Sequence, residues 1–570
     1  MVEENRRIAM LEALLAEAAA EGPGALAAAR RAAALADGFD EARARKALAL
    51  AARLDPLDAL ARLGLSRLAA EAGDLEGART EALGVFKRSV DEAARARAAF
   101  ILGEIARSRG GTDEARDAYA AAARIENALL AVNPTDIAAA RWYARALGRI
   151  AELDALTDAV AARNIAEGLV AMLRALTVQA GEPPALAADI ADAEFRVAVL
   201  DLDFAMPSGA RRRLNEAIGR YEALCIAEPG EAHWRAVLAE AQALMAEAAF
   251  ALGDAAGARA AMDKALKLRV KLAAVDPEER WALAGLWRVR AALLTKLGAM
   301  DEARDGLAHA AASAKQLLAE APSKEAATRF LAHTLLELSD LELAAENLEA
   351  ARDAADEARK LIEPFARDAA PNIPWRADLA ATWLRLGEAA RRANAPAQTL
   401  DAYSRAVELR RQVRSAAPQD EDAKRALAAA LLLAGEAALS TQAHQSARAA
   451  FDESLSLRLE IAEAAGALDA ARELAVAMER VGLAAAAAGD RQGARAMWEE
   501  ELALIERVYE DHADAEGQRM RAVVESHLAS LGGVDAAQRR ASALARLDGL
   551  AQDGALTERD TALRRQLWQS

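Results

Sequence analysis

The sequence predicts an all-α fold made by stacking repeated helix pairs, and three observations predict it. First, proline recurs in short polar breaks at Pro134, Pro183/Pro184, Pro229, Pro277, Pro322, Pro371 and Pro418, spaced 45 to 49 residues apart. A fixed period of that size marks a stacked-repeat protein, in which each unit buries its apolar face only against its neighbours. Second, hydrophobic residues make up 54% of the 570 positions but aromatics only 4%, so alanine supplies much of the apolar surface. Alanine is the strongest helix former and lets helices approach closely. Third, no segment alternates β-branched with polar residues, so no sheet is expected.

The turns follow from glycine. Gly73-Asp74 closes one helix and opens the next, as does Gly110-Gly111 ahead of Thr112. Glycine supplies a left-handed helix stop, and Asp or Thr just after it caps the following helix. Around these turns a register recurs. Leu102-Gly103, Gly110, Ala115, Tyr119 and Ala122 carry it once, and Trp383, Leu386-Gly387, Tyr403 and Ala406 carry it again. Gly253-Asp254, Ala258, Met262 and Ala265 match its second half. So do Gly489-Asp490, Ala494 and Trp498 after Val481-Gly482, and Gly298, Ala303, Leu307 and Ala310 after Trp287. This register resembles the tetratricopeptide repeat, a helix–turn–helix unit of about 34 residues. The resemblance implies a right-handed α-solenoid, a superhelix of antiparallel helix pairs, covering roughly residues 24–550.

In order along the chain, residues 1–22 read as an N-terminal capping helix and 23–134 as repeats of near-standard length. Residues 135–228 read as divergent repeats, 229–512 as long-period repeats, and 513–570 as a last pair with a C-terminal capping helix over 556–568. Ten to eleven pairs are expected. Two stretches match poorly. Residues 150–215 lack a clean Leu-Gly and Gly-Asp and are interrupted by Pro207, and 340–350 replace the glycine turn with Leu-Ala-Ala-Glu-Asn.

Net charge is −16, which argues against general binding to nucleic acid or anionic membranes, since both need a basic surface. Arginine outnumbers lysine 62 to 10, an excess read here, with alanine, as the coding bias of a GC-rich bacterial genome. The Arg211-Arg212-Arg213 run reads as a solvated face. Cys225 stands alone, so no intrachain disulfide forms, and it reads as a small buried residue. The amino-terminal residues lack the apolar core of a signal peptide, and no window is long and apolar enough to span a membrane. A soluble, cytoplasmic protein is expected.

No catalytic constellation emerges. The six histidines (233, 309, 333, 444, 512 and 527) are scattered, without the clustered ligands that zinc requires. No phosphate-cradling glycine loop and no Gly-x-Ser-x-Gly elbow appear. Catalytic, cofactor-binding and metal-binding residues are therefore expected to be none.

The candidate site is a groove. The resemblance implies that the residue just after the Leu-Gly position faces the concave surface. Glu104, Glu247, Asp340, Glu388 and Glu436 hold that position. Such a line of carboxylates would focus negative potential and attract a basic segment. Neighbouring groove positions are Arg97, Phe100 and Arg107 in one repeat, Leu384 and Arg391 in another, and Leu432 and Leu439 in a third. An apolar patch with charged rims suits a helix or peptide of another protein. The expected role is a non-catalytic scaffold or adaptor. Three other readings stand beside it. One is the sensor or regulatory arm of a bacterial signalling or defence system with a separate effector. The others are end-to-end self-assembly and an enzyme using residues 150–215.

Overall fold

The computed structural model describes residues 2–155, 157–320, 324–367, 372–465, 468–509 and 515–569. Among them every regular element is an α-helix, 26 in all, and no strand occurs. Pro322, Pro371 and His512 lie outside the described residues.

The chain divides into two compact units, Met1–Glu279 and Arg280–Ser570. The first holds α1 (Val2–Ala19), α2 (Ala25–Ala36), α3 (Glu41–Leu54), α4 (Ala59–Glu71), α5 (Leu75–Arg88), α6 (Glu92–Ser108) and α7 (Thr112–Val132). It continues with α8 (Ile137–Asp154), α9 (Ala159–Ala180), α10 (Pro184–Asp203), α11 (Pro207–Ala227), α12 (Ala232–Ala251) and α13 (Ala255–Ala273). The second begins within α14 (Glu279–Lys296) and runs through α15 (Met300–Glu320), α16 (Lys324–Ala344), α17 (Leu348–Ala366), α18 (Ile373–Arg392), α19 (Pro396–Ala416) and α20 (Glu421–Ser440). It ends with α21 (His444–Ala465), α22 (Leu468–Ala487), α23 (Arg491–Val508), α24 (Ala515–Ser530), α25 (Ala536–Gln552) and α26 (Glu558–Gln569).

Taken from α2/α3 to α24/α25, the helices form twelve A/B pairs, with α1 and α26 single at the ends. The array is therefore longer than the ten to eleven pairs expected. The undercount has a physical cause in the turns. Gly73, Gly253 and Gly489 are left-handed, with φ of 80°, 77° and 84°, as a helix stop requires. The carboxylates of Asp74, Asp254 and Asp490 then each accept a backbone N–H three residues on, at 2.8 Å. Ala205, Glu346, Asn394 and Gln442 adopt the same left-handed conformation without being glycine, at φ of 54–60°. The closing bond is the same too. Asp74 N–H reaches Ala69 O at 2.9 Å, and Met206 N–H reaches Asp201 O at 2.7 Å. The poor matches at 150–215 and 340–350 thus keep the repeat geometry at the cost of a strained turn residue. Pro207 and Pro396 are first residues of α11 and α19, where a missing N–H removes no helical bond.

Within each unit the A helices touch the A helices of adjoining pairs. In the first unit α4 meets α6, α6 meets α8, α8 meets α10 and α10 meets α12; in the second α16 meets α18 and α20 meets α22. Among the described residues the B helices of adjoining pairs make no comparable contacts with one another. In each unit the A helices therefore form the inner layer, and the core lies between the layers.

Arginine does more here than a coding bias would suggest. Arg116, Arg163 and Arg304, on B helices, each ion-pair with an acid 38 residues ahead on the next A helix: Asp154, Asp201 and Glu342. Those acids are 7%, 1% and 4% exposed. The planar guanidinium fork satisfies a buried carboxylate better than an ammonium can. The Arg211-Arg212-Arg213 run is likewise not simply solvated, since Arg211 pairs with Asp254 and Arg213 with the fully buried Glu194. Cys225 is half-buried on α11, and burial raises its thiol pKa.

Candidate functional site

A single packing rule positions the inner face. Four A helices carry a glycine against a large B-helix side chain sixteen residues later: Gly103/Tyr119, Gly387/Tyr403, Gly435/Phe451 and Gly482/Trp498. These four large side chains are at most 1% exposed. A Cβ added at Gly103 would lie 2.5 Å from Tyr119 Cε1, so only glycine lets the ring sit there. The next residue along the A helix projects onto the inner layer.

At that position stand the five predicted acids, and four of them are ion-paired. Glu104 accepts from Tyr119 Oη at 2.7 Å, Arg149 Nε at 2.8 Å and Arg107 Nη2 at 2.9 Å. Burial works against its charge, but those three donors outweigh it and hold its pKa below the usual value. Arg149 comes from the next A helix, 45 residues on. The same bridge recurs from Asp340 to Arg385 at 2.6 Å and from Glu436 to Arg480 at 2.7 Å. Glu388 accepts from Arg391 and Arg392 on its own helix and from Tyr403 Oη; the two arginines, Arg391 foremost, bring its pKa down to about 2 against the effect of burial. Glu247 is exposed, with no ion pair among the described residues. Most of the expected line of carboxylates is therefore neutralised in place by arginines from the chain itself.

The other predicted groove residues are half-buried or charge-paired. Phe100 lies between Tyr119 and Trp142, with ring centroids at 5.3 and 5.4 Å, and Arg97 covers Trp142 at 5.7 Å. Arg391 is committed to Glu388. Leu384 packs against the cluster around Tyr403, and Leu432 and Leu439 pack against that around Phe451.

One opening in the first unit lies in the stretch that matched the repeat poorly. It is a cavity of about 670 Å³ between α8, α10 and α12. Along α10, Asp192, Phe195, Arg196, Val199 and Asp203 form one stripe, and His233, Val237 and Glu240 on α12 face it. Arg149 and Glu152 close the side on α8. Val199 follows the small residue Ala198, so it is the counterpart of Glu104 and Glu247. An apolar side chain stands there where the preceding pair holds Arg149 in ion pairs with Glu104 and Glu152. The charges around the floor are ordered. Glu152 accepts from Arg149 at 2.8 Å and Arg196 at 3.0 Å, and Glu240 accepts from Arg269 at 2.7 Å. Tyr221, 1% exposed on α11, donates to Asp192 at 2.7 Å. Burial, with Asp192 beside it, raises the tyrosine pKa. Asp203 is exposed, with no ion pair among the described residues. Sequence reasoning singled out none of these residues as binding residues. The sequence signal was weak: α8 keeps Leu147-Gly148 but follows it with Arg149, and α10 has neither glycine nor acid at Ala198-Val199.

Among the described residues no group of three His, Cys, Asp or Glu is placed to hold a metal ion. No helix among them is long and apolar enough to cross a membrane.

No protein-family model matches the chain. No curated protein matches it in sequence. Among solved structures, it is similar to BtubC (BKLC) from P. vanneervenii at 18% identity, over 45% of this chain and 91% of that one, with a TM-score of 0.36. It is similar to a signal transduction ATPase with numerous domains and a tetratricopeptide repeat sensor from Pyrococcus horikoshii. That match has 12% identity over 86% of this chain and 74% of that one, with a TM-score of 0.41. A Rap protein complexed with competence and sporulation factor matches at 14% identity, over 72% of this chain and 99% of that one, with a TM-score of 0.35.

Proposed function

We propose that the chain is a non-catalytic protein-binding scaffold, tetratricopeptide-like in register, that holds a segment of another protein against its inner layer of A helices. One observation carries this reading. The inner layer of the first unit opens into a cavity of about 670 Å³ floored by Phe195, Val199 and Val237 and rimmed by ordered charges. An apolar floor with a charged rim suits a peptide or helix of another protein. The acids and leucines predicted from the sequence extend the same kind of surface along each unit, with arginine bridges keeping it rigid.

The test is affinity capture from native lysate with matched variants. Val199→Asp places a charge on the floor without touching the core between layers. Glu222→Arg alters the exposed side of the B helix α11. The reading expects captured protein to be lost with Val199→Asp and kept with Glu222→Arg. Equal capture by the parent and Val199→Asp would overturn it.

A further inference from the structure

We infer that the cavity between α8, α10 and α12 takes a short extended segment in which arginine or lysine alternates with apolar residues. This deepens the binding reading above and rests on it. The apolar half of the argument is the floor of Phe195, Val199 and Val237. The basic half comes from following each charge to its partner. Arg149 and Arg196 both bond Glu152, and Glu104 takes Arg149 and Arg107, so three cations meet two anions. Glu240 shares Arg269 with Glu279, so one cation meets two anions there and the extra cation around Glu104 is offset. Two carboxylates remain over. Asp192 receives a hydrogen bond only from the neutral Tyr221 hydroxyl, and Asp203 has no ion pair among the described residues. They lie eleven positions apart on one helix face, about three turns, or ~16 Å at 1.5 Å per residue. The floor sits between them. An acidic segment would face two uncompensated carboxylates there, whereas a basic one would neutralise them. An extended chain laid along α10 covers the ~16 Å between these two carboxylates in about five residues.

The probe is a fluorescein-labelled hexapeptide alternating leucine and arginine, with glutamine and glutamate versions as comparators, titrated against the full chain by fluorescence anisotropy at low salt. The arginine probe is expected to bind most tightly and the glutamate probe most weakly. The variant Asp192→Asn/Asp203→Asn is expected to weaken the arginine probe about tenfold, as two partly exposed ion pairs allow, and to leave the glutamine probe unchanged. Asparagine keeps an acceptor for Tyr221, and Asp203→Asn alone, at an exposed site, supplies a variant whose folding is not at stake. Val199→Asp separates a site from diffuse attraction to a chain of net charge −16. It adds negative charge, so diffuse attraction predicts equal or tighter binding, while the site predicts loss. Equal affinity for the arginine and glutamine probes, no effect of Asp192→Asn/Asp203→Asn, no loss with Val199→Asp, or no binding of any probe would overturn the inference. If in any of these cases native capture still depended on Val199, the scaffold reading would stand and only the basic character of the segment would fall.

Discussion

Gly387→Ala tests the packing rule that builds the inner face. An added Cβ would sit 2.5 Å from Tyr403 Cδ1, whereas carbon atoms in contact prefer about 3.5–4.0 Å. The ring cannot swing away. Tyr403 is 1% exposed, packs into the cluster with Leu427 and Leu431, and donates its hydroxyl to Glu388 at 3.2 Å. The pair α18/α19 must therefore separate by about 1 Å or leave the ring off-rotamer, and overpacking of this kind costs about 1–3 kcal/mol. Opposing this, alanine is favoured over glycine within a helix by about 1 kcal/mol. Gly219 isolates that second effect, because it lies mid-helix in α11 with nothing within 4 Å of its would-be Cβ. Gly219→Ala should stabilise by about 1 kcal/mol, whereas Gly387→Ala should gain nothing and destabilise by up to about 2 kcal/mol. Stacked repeats need not unfold in one step. The assay is therefore urea unfolding followed by circular dichroism, with hydrogen exchange reporting on α18/α19 and on α11 separately. Shrinking the ring with Tyr403→Leu should restore Gly387→Ala. If Gly387→Ala proved as stable as Gly219→Ala, the close-approach argument would fail.

Three further outcomes follow from the same physics. Glycine at Ala205 or Glu346, both left-handed, should raise stability by about 1 kcal/mol by removing turn strain, which thermal melts would show. Burial of Glu126 and Glu501, at 2% and 3% exposure, raises their carboxyl pKa values to about 7 and about 9. Both bind a proton when folded that they release when unfolded above about pH 4.3, so the stability they contribute is present at low pH and lost as pH rises through those values. Stability should decline between about pH 7 and 9 by up to about 1.4 kcal/mol per pH unit. Glu501→Gln should abolish most of that slope in pH-dependent urea titrations, and a flat parent profile would refute it. Arg163→Ala should cost about 2 kcal/mol by stranding Asp201, which is 1% exposed. A double-mutant cycle with Asp201→Ala should return a positive coupling, and zero coupling would remove the clamp from the account.

The repeat was legible because its turns announce themselves: Gly73-Asp74, Gly253-Asp254 and Gly489-Asp490 need a left-handed residue followed by a capping acid. Where Ala205, Glu346, Asn394 and Gln442 take the same conformation, the sequence lost the signal although the backbone kept the shape. The inner-face acids were legible as a register, but their partners were not sought. Arg149, Arg385 and Arg480 stand 44 or 45 residues after Glu104, Asp340 and Glu436, a spacing visible only once one knows that successive A helices touch. The cavity was hidden for the opposite reason. It lies beside Val199 in a divergent repeat, where a missing acid reads as noise until packing shows the opening next to it.

The most direct measurement of the central claim is hydrogen–deuterium exchange on the full chain, free and with its captured partner. Protection concentrated in α8, α10 and α12 is the predicted result. Protection confined to the B helices α9 and α11, or none in this unit, would contradict the account.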